Sequence, residues 1–328
     1  MGMASSRKWR VWGVALGLLS GLFFSVDVLA GMGISPPAGR LWSQISVSHW
    51  SSHERFAGPY RQGDLGYDGG QEIGARIPLS IDEGGGEFLA QNIALSVGLG
   101  VTDRLDFGVY LPMRQRSLLT LETVEVERRG LGDLWLNGGF RITPSGSAVS
   151  SRIVTELKVP LSETTFEVLT VPLSEGQLDM SLGQMTTWKS PLGVYLTGGM
   201  KFRYRAPVTR DVGAVVFELK PGNELELVTE LAGEPVSNIW LSLGWSSTFA
   251  QTSEARVFNQ LPEPRERREL HRVGFSAYVS VGRWISPAVD GLALSAAAWV
   301  PIAGVDQLSG PTLMMGLAWQ TQIWDELE

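Results

Sequence analysis

The sequence predicts an all-β protein, a transmembrane antiparallel β-barrel of about twelve strands. Three observations predict it. After a basic and apolar N-terminal stretch, no run is long and apolar enough to cross a membrane as a helix. Segment after segment alternates apolar with polar or small residues at a period of two, the period of a strand with unlike faces. The links between these segments alternate short and long, as the turns of a transmembrane barrel do on its two sides.

The N-terminus comes first. Arg7, Lys8 and Arg10 precede the apolar run VWGVALGLLSGLFFSV, and Asp27-Val28-Leu29-Ala30 supplies small or β-branched residues where a signal peptidase reads. The run falls short of the roughly 20 residues of a spanning helix, which argues against a retained anchor. We place a signal peptide at 1–30 and an outer-membrane β-barrel at 31–328. Removing that leader takes the formal charge from −7 to about −9. An acidic balance gives no electrostatic footprint for nucleic acid. The chain has no Cys, which excludes a lipid-anchored N-terminal cysteine, disulfide frameworks and thiolate metal sites.

The clearest unit is NIALSVGLGVTDRLDFGVYLPMR, residues 92–114. Ile93, Leu95, Val97 and Leu99 alternate with Asn92, Ser96, Gly98 and Gly100; Phe107, Val109, Leu111 and Met113 alternate with Asp106, Gly108, Tyr110 and Arg114. Val101-Thr102-Asp103-Arg104 suits a tight hairpin link. Before this hairpin, 41–50 reads as a first strand, followed by the Gly- and acid-rich loop 51–86. After it, 115–130 reads as a polar loop. Further strands are predicted at 131–142, 151–160, 178–188, 194–205, 223–231, 239–249, 271–284, 292–300 and 312–323. Turns built from Gly, Pro and Ser fall at 143–149, 190–193, 233–237 and 285–290. Long loops fall at 161–176, 206–222, 251–269 and 302–311, the third carrying the charged run EPRERRE. Short turns with both chain ends in the periplasm, and long loops outside, satisfy this pattern without displacing any strand.

Periodicity alone does not say which face meets lipid. Composition does. The polar faces are mostly Gly, Ser, Thr, Asn and Gln with clustered charges, whereas a barrel in water shows a surface rich in Lys and Glu. Trp188, Tyr204, Trp245, Phe249 and Trp319 lie on the apolar faces towards strand ends, as an interfacial girdle would. Trp42, Trp50, Trp135, Trp240, Trp284 and Trp299 fall on the inward parity, either as binding surface or as filling.

The lumen charges are the candidate site. Lys201, Arg203 and Arg205 share a face of one strand, and Glu224, Glu226 and Glu230 share a face of the next. Arg104, Asp106, Arg141, Arg152, Glu156 and Lys158 add mixed charge, with Arg114 and Asp133 beside them. Such residues make either a charge-selective permeation track or a network in which opposite signs on adjacent strands satisfy one another. The matched signs favour pairing. Catalysis has little support: His49, His53 and His271 are the available imidazoles, and no nucleophile motif accompanies them, so no catalytic residue is assigned. Asp64, Asp68, Asp82 and Glu83 do not match a calcium loop, so no metal site and no cofactor is assigned.

Two stretches, VGLGVTDRLDFGVYLPM (97–113) and GLGDLWLNGGFRI (130–142), resemble outer-membrane transporters grouped as the phenol-degradation meta-pathway family. KVPLS (158–162), LDMSLGQ (178–184) and the Ser-Pro turn that follows resemble that family's next hairpin, so the similarity spans roughly 90–205. The resemblance implies a barrel that aids passage of hydrophobic or aromatic compounds, and it carries over no catalytic or binding residue. One departure is the C-terminus, where alternation ends at Ile323 and an acidic tail follows Trp324. The sequence therefore leads us to expect passive passage or binding of small molecules in the bacterial outer membrane. Expected partners are outer-membrane lipid, the barrel-assembly and periplasmic chaperone machinery, and the permeant, with no nucleic acid. A structural or surface-interaction barrel sealed by its charge networks is the alternative, and an outer-membrane hydrolase ranks below both.

Overall fold

The computed structural model describes residues 38–56, 76–78, 86–120, 125–161, 173–174, 176–212, 215–252, 254–257, 263–264, 268–286, 289–305 and 307–323. Twelve of its strands form one closed wall: β1 (Arg40–Ser52), β2 (Gly86–Gly100), β3 (Leu105–Thr120), β4 (Leu134–Arg141), β5 (Val149–Val159) and β6 (Asp179–Lys189). The wall continues with β7 (Val194–Arg205), β8 (Glu224–Val236), β9 (Ile239–Ala250), β10 (Arg268–Ser280), β11 (Leu292–Val305) and β12 (Thr312–Gln322). Each strand pairs antiparallel with its neighbour in the chain, and β1 pairs with β12 from Arg40↔Gln322 to Trp50↔Thr312, which closes the ring. Closure leaves the wall no free edge, and every strand satisfies its backbone polar groups against two neighbours, the condition for crossing lipid as β-structure.

The burial pattern is inside out relative to a water-soluble domain. Met315 is 65% exposed, and Ile45, Leu182 and Met200 are exposed with it, whereas Lys158 is 0% exposed and Arg205, Arg203 and Lys201 are buried. Trp188, Tyr204, Trp245 and Trp319 lie exposed on the outer surface, as the parity of their strands predicts.

Several boundaries differ from the sequence reading, each for a local reason. Residues 115–130 are not a polar loop: β3 runs to Thr120, and a further strand, Glu125–Leu131, pairs with it from Met113↔Leu131 to Leu119↔Glu125. Gln115, Arg116 and Ser117 put polar residues on both faces of one strand and Glu127, Arg128 and Arg129 do so on the other, which hides the period-two signal while leaving the backbone ladder intact. Gly132 and Asp133 separate that strand from β4, a bulge opposite Pro112, whose carbonyl accepts the Gly132 N–H at 2.8 Å. Gly233-Glu234-Pro235 is likewise a bulge inside β8, since Pro235 has no N–H to give the ladder. The turn itself is Ser237-Asn238, with Asn238 at φ 69°, a conformation Asn tolerates. β11 continues past Pro301 to Val305 by another bulge against β10. β10 stops at Ser280, and Trp284 lies on a short helix, Gly282–Ile285, where it is 62% exposed rather than inside the lumen.

The long-loop side carries small sheets of its own. Val208–Val212 pairs with Val215–Lys220, which pairs with Glu254–Val257 and through it Glu263–Pro264; Gln307–Leu308 pairs with Glu54–Phe56 and then Arg76–Pro78. Part of the charged run 263–269 thus belongs to structure: Arg268 opens β10 and is buried.

Candidate functional site: the lumen

The inward faces divide the lumen into two unlike walls. One, spanning β5 to β10, is a chain of alternating charges. Lys158 Nζ lies 2.5 Å from Asp179 Oδ2, and Arg205 reaches the same oxygen at 4.0 Å. Arg205 Nη1 and Arg203 Nη1 donate to the two oxygens of Glu224, each at 3.0 Å. Arg203 Nη2 stands 3.7 Å from Glu156 Oε2; Lys201 Nζ donates to Glu156 Oε1 at 2.9 Å and lies 3.0 Å from Glu226 Oε2. Arg272 Nη2 ends the chain 3.8 Å from Glu226 Oε1.

Register makes these pairs. Lys201 opposes Glu226 and Arg203 opposes Glu224 across β7 and β8, while Lys158 and Arg205 both oppose Asp179 from the two sides of β6. Cross-strand neighbours lie close enough for opposite charges to meet without distorting the backbone. Burying so many ions is costly, and the cost is offset only while each keeps its partners, so losing one member leaves an uncompensated buried charge worth roughly 3–5 kcal/mol. Trp135, 2% exposed, fills the space between the cations: Arg203 Cζ is 5.3 Å and Lys158 Nζ 6.0 Å from its ring centroid.

A second pair lies nearer the short-turn end. Arg152 Nη2 donates to both oxygens of Asp106, at 2.8 and 3.1 Å, across the intervening β4. A third involves residues 173–174 of the long-loop side, which lie against β3. Arg114 Nη1 donates to the Leu173 carbonyl at 2.7 Å and lies 3.6 Å from Asp133, while the fully buried Ser174 hydroxyl donates to Asp133 Oδ1. Gln177 Nε2 donates to Asp179 Oδ1, on the charged wall, at 2.9 Å.

The opposite wall, β11, β12, β1 and β2, carries small and neutral polar residues on its inward face, with the rings of Trp42, Trp50, Phe88 and Trp299 among them. Gln44 donates to Ser295 Oγ at 3.0 Å and Asn92 to Ser48 Oγ at 2.9 Å, and Ser46, Ala94, Ala293 and Ala297 are buried around them. Between the walls lies a cavity of about 1540 Å³, counting the part open to solvent, to which ten of the twelve strands contribute. A smaller hollow lies on its long-loop side; Glu226 and Arg272 border both.

Of the residues singled out in the sequence, Asp106, Arg152, Glu156, Lys158, Lys201, Arg203, Arg205, Glu224 and Glu226 lie inside the barrel in ion pairs. Glu230 is half-buried and lines the large cavity. Arg141 is half-buried near the short-turn end, and Arg104 sits in the exposed hairpin turn, outside the buried set. Arg116, Asp179 and Arg272 belong to the interior but were not among those candidates; Asp179 and Arg272 were marked by inward parity. His53 faces Glu87 at 3.5 Å in an exposed setting, and His271 is on the outer face, hydrogen-bonded to Ser247 at 2.5 Å and stacked against Trp245. Asp64, Asp68, Asp82 and Glu83 lie outside the described residues.

No family model and no curated protein matches the chain. Solved structures do. The COG4313 outer membrane channel from Pseudomonas putida F1 superposes with a TM-score of 0.65 at 11% identity, covering 88% of this chain and 97% of that one. The transport unit of the autotransporter AIDA-I from Escherichia coli does so with a TM-score of 0.50 at 9% identity, covering 97% and 99%. At such identities the likeness is one of fold. The chain has the closed, twelve-stranded antiparallel fold of outer-membrane β-barrel channels.

Proposed function

We propose that this protein is a bacterial outer-membrane channel for passive passage or binding of small molecules, exported by the N-terminal leader at 1–30. The observation that carries the reading is the open space left between a charged wall and an uncharged one, bordered by residues of ten strands. The charged residues named above then serve two roles. Their pairing holds the wall rigid, and the cavity-facing members, Arg272, Glu226 and Glu230, set which solutes enter. Solutes with an apolar or aromatic body suit the neutral wall, in keeping with the sequence resemblance to the phenol-degradation meta-pathway family. Lipid of the outer membrane and the assembly and chaperone machinery are the partners this reading requires.

A sealed, structural barrel is the second reading, favoured by the inward-lying residues 173–174 and by the matched ion pairs. Single-channel recording of the refolded protein in a planar bilayer separates the two. Discrete openings support the channel; a folded, heat-modifiable barrel that never conducts supports the sealed form and overturns the proposal.

A further inference from the structure

The inward indoles differ in what they meet: Trp240 packs on Tyr195 and Trp42 lies over Gly98, neither of them bordering the large cavity. Trp50 and Trp135 are packed away: Trp50 is 4% exposed, donates Nε1–H to the Gly310 carbonyl at 2.8 Å and meets Phe88 edge-on, and Trp135 is enclosed by cations. Trp299 is different. It is half-buried and borders the large cavity. Gly274 opposes it directly across β10 and β11, and Gly244 opposes Gly274 on β9. A Cβ on Gly244 would stand 2.8 Å from the indole Cη2, and one on Gly274 would collide with the ring. Two successive strands thus give up their side chains where the indole lies, so that it rests against the wall and leaves its remaining surface to the cavity.

Arg272, two residues before Gly274 on the same strand, places its guanidinium 5.8 Å from the Trp299 ring centroid. Its Nε donates to Ser246 Oγ at 3.1 Å, and its contact with Glu226, at 3.8 Å, is looser than the 3.0 Å at which Lys201 holds that carboxylate. The cavity border carries Arg114, Arg116 and Arg272 against Glu226 and Glu230. A flat ring gains from stacking on an aromatic face, and a carboxylate gains from a guanidinium's paired donors.

We infer that Trp299, seated on Gly244 and Gly274, is a stacking subsite for a flat aromatic acid whose carboxylate is held by Arg272. The inference rests on reading the lumen as a place that small molecules enter, and it names the class of solute that binds there.

Benzoate, cyclohexanecarboxylate and benzyl alcohol are the probes, used in equilibrium binding to the refolded protein and as blockers of its current. Benzoate binds about tenfold more tightly than either analogue, one lacking the flat ring and the other the charge. Trp299→Leu, with heat-modifiable migration unchanged, loses about tenfold of benzoate binding. Trp299→Phe keeps most of it. Arg272→Gln weakens benzoate and leaves benzyl alcohol alone. Equal binding of benzoate and cyclohexanecarboxylate, or unchanged benzoate binding by folded Trp299→Leu, overturns the subsite. A barrel that binds benzoate without conducting keeps the subsite and refutes passage. One that conducts with no preference among the probes does the reverse.

Discussion

Asp106 and Arg152 meet across a whole intervening strand, because that strand places Gly139 between them. A Cβ at Gly139 would stand 2.7 Å from both Arg152 Cζ and Asp106 Oδ2. The glycine leaves a slot through which one guanidinium nitrogen reaches both carboxylate oxygens. Gly139→Val therefore disrupts the pair without touching either charge. The barrel should lose roughly 3–5 kcal/mol, as when one partner of a buried pair is removed, and Asp106→Ala should lose a similar amount. Urea titration followed by the heat-modifiable shift on gels reads both; full stability in Gly139→Val refutes the slot.

Leu227 and Thr197 test the two faces of the wall. Leu227 is on the outward parity of β8, and Thr197 is buried on β7, opposite Glu230 and hydrogen-bonded to Thr187 at 2.9 Å. Leu227→Arg places a cation on the lipid face, at a cost of ~2–4 kcal/mol near mid-bilayer, and should hinder assembly. Thr197→Arg places the same cation beside the cavity, should assemble, and should change the current. Equal assembly of both variants contradicts the assignment of faces.

Lys201 and Glu226 offer a charge exchange. Lys201→Glu and Glu226→Lys should each destabilise the barrel by roughly 3–5 kcal/mol, since each sets like charges against one another inside the wall. The double exchange should recover only part of the loss, because the 201–226 pair is restored while position 201 still faces Glu156 and position 226 still faces Arg272 with like charge. A double-mutant cycle in urea measures the coupling, and a coupling near zero means that the pair does not hold the wall together.

The tie between Arg114 and the Leu173 carbonyl holds residues 173–174 against β3. Arg114→Leu should release them. If those residues narrow the path, the current per opening rises and protease sensitivity near 173–174 increases together. A rise in cleavage with unchanged current places them outside the conducting path.

Strand number and span were legible from the sequence wherever one face meets lipid and the other does not, since only there does polarity alternate with period two. β7, predicted over 194–205, occupies those residues. The rule fails where polar residues fall on both faces, as at 115–117 and 127–129, which is why the upper part of β3 and the strand Glu125–Leu131 read as loop. It fails again at Pro235 and Pro301, where residues that signal turns are absorbed by bulges. The pairing of Lys201, Arg203 and Arg205 with Glu224 and Glu226 was legible because neighbouring hairpin strands must pair. The bond between Asp106 and Arg152 was not, because it skips a strand and depends on one missing side chain. Nor was the seat of Trp299, which needs the register of three strands at once.

The division of the lumen into charged and neutral walls bears on how the molecule is put together. The buried ion pairs described above all join strands from β3 to β10, a continuous series of hairpins. The seam where the first strand meets the last brings Gln44, Ser46 and Ser48 against Met314, Gly316 and Ala318 on the inner side, all of them uncharged. The charges therefore find their partners within the hairpin series itself, and the junction of β1 with β12 closes the ring without depending on any ion pair across it.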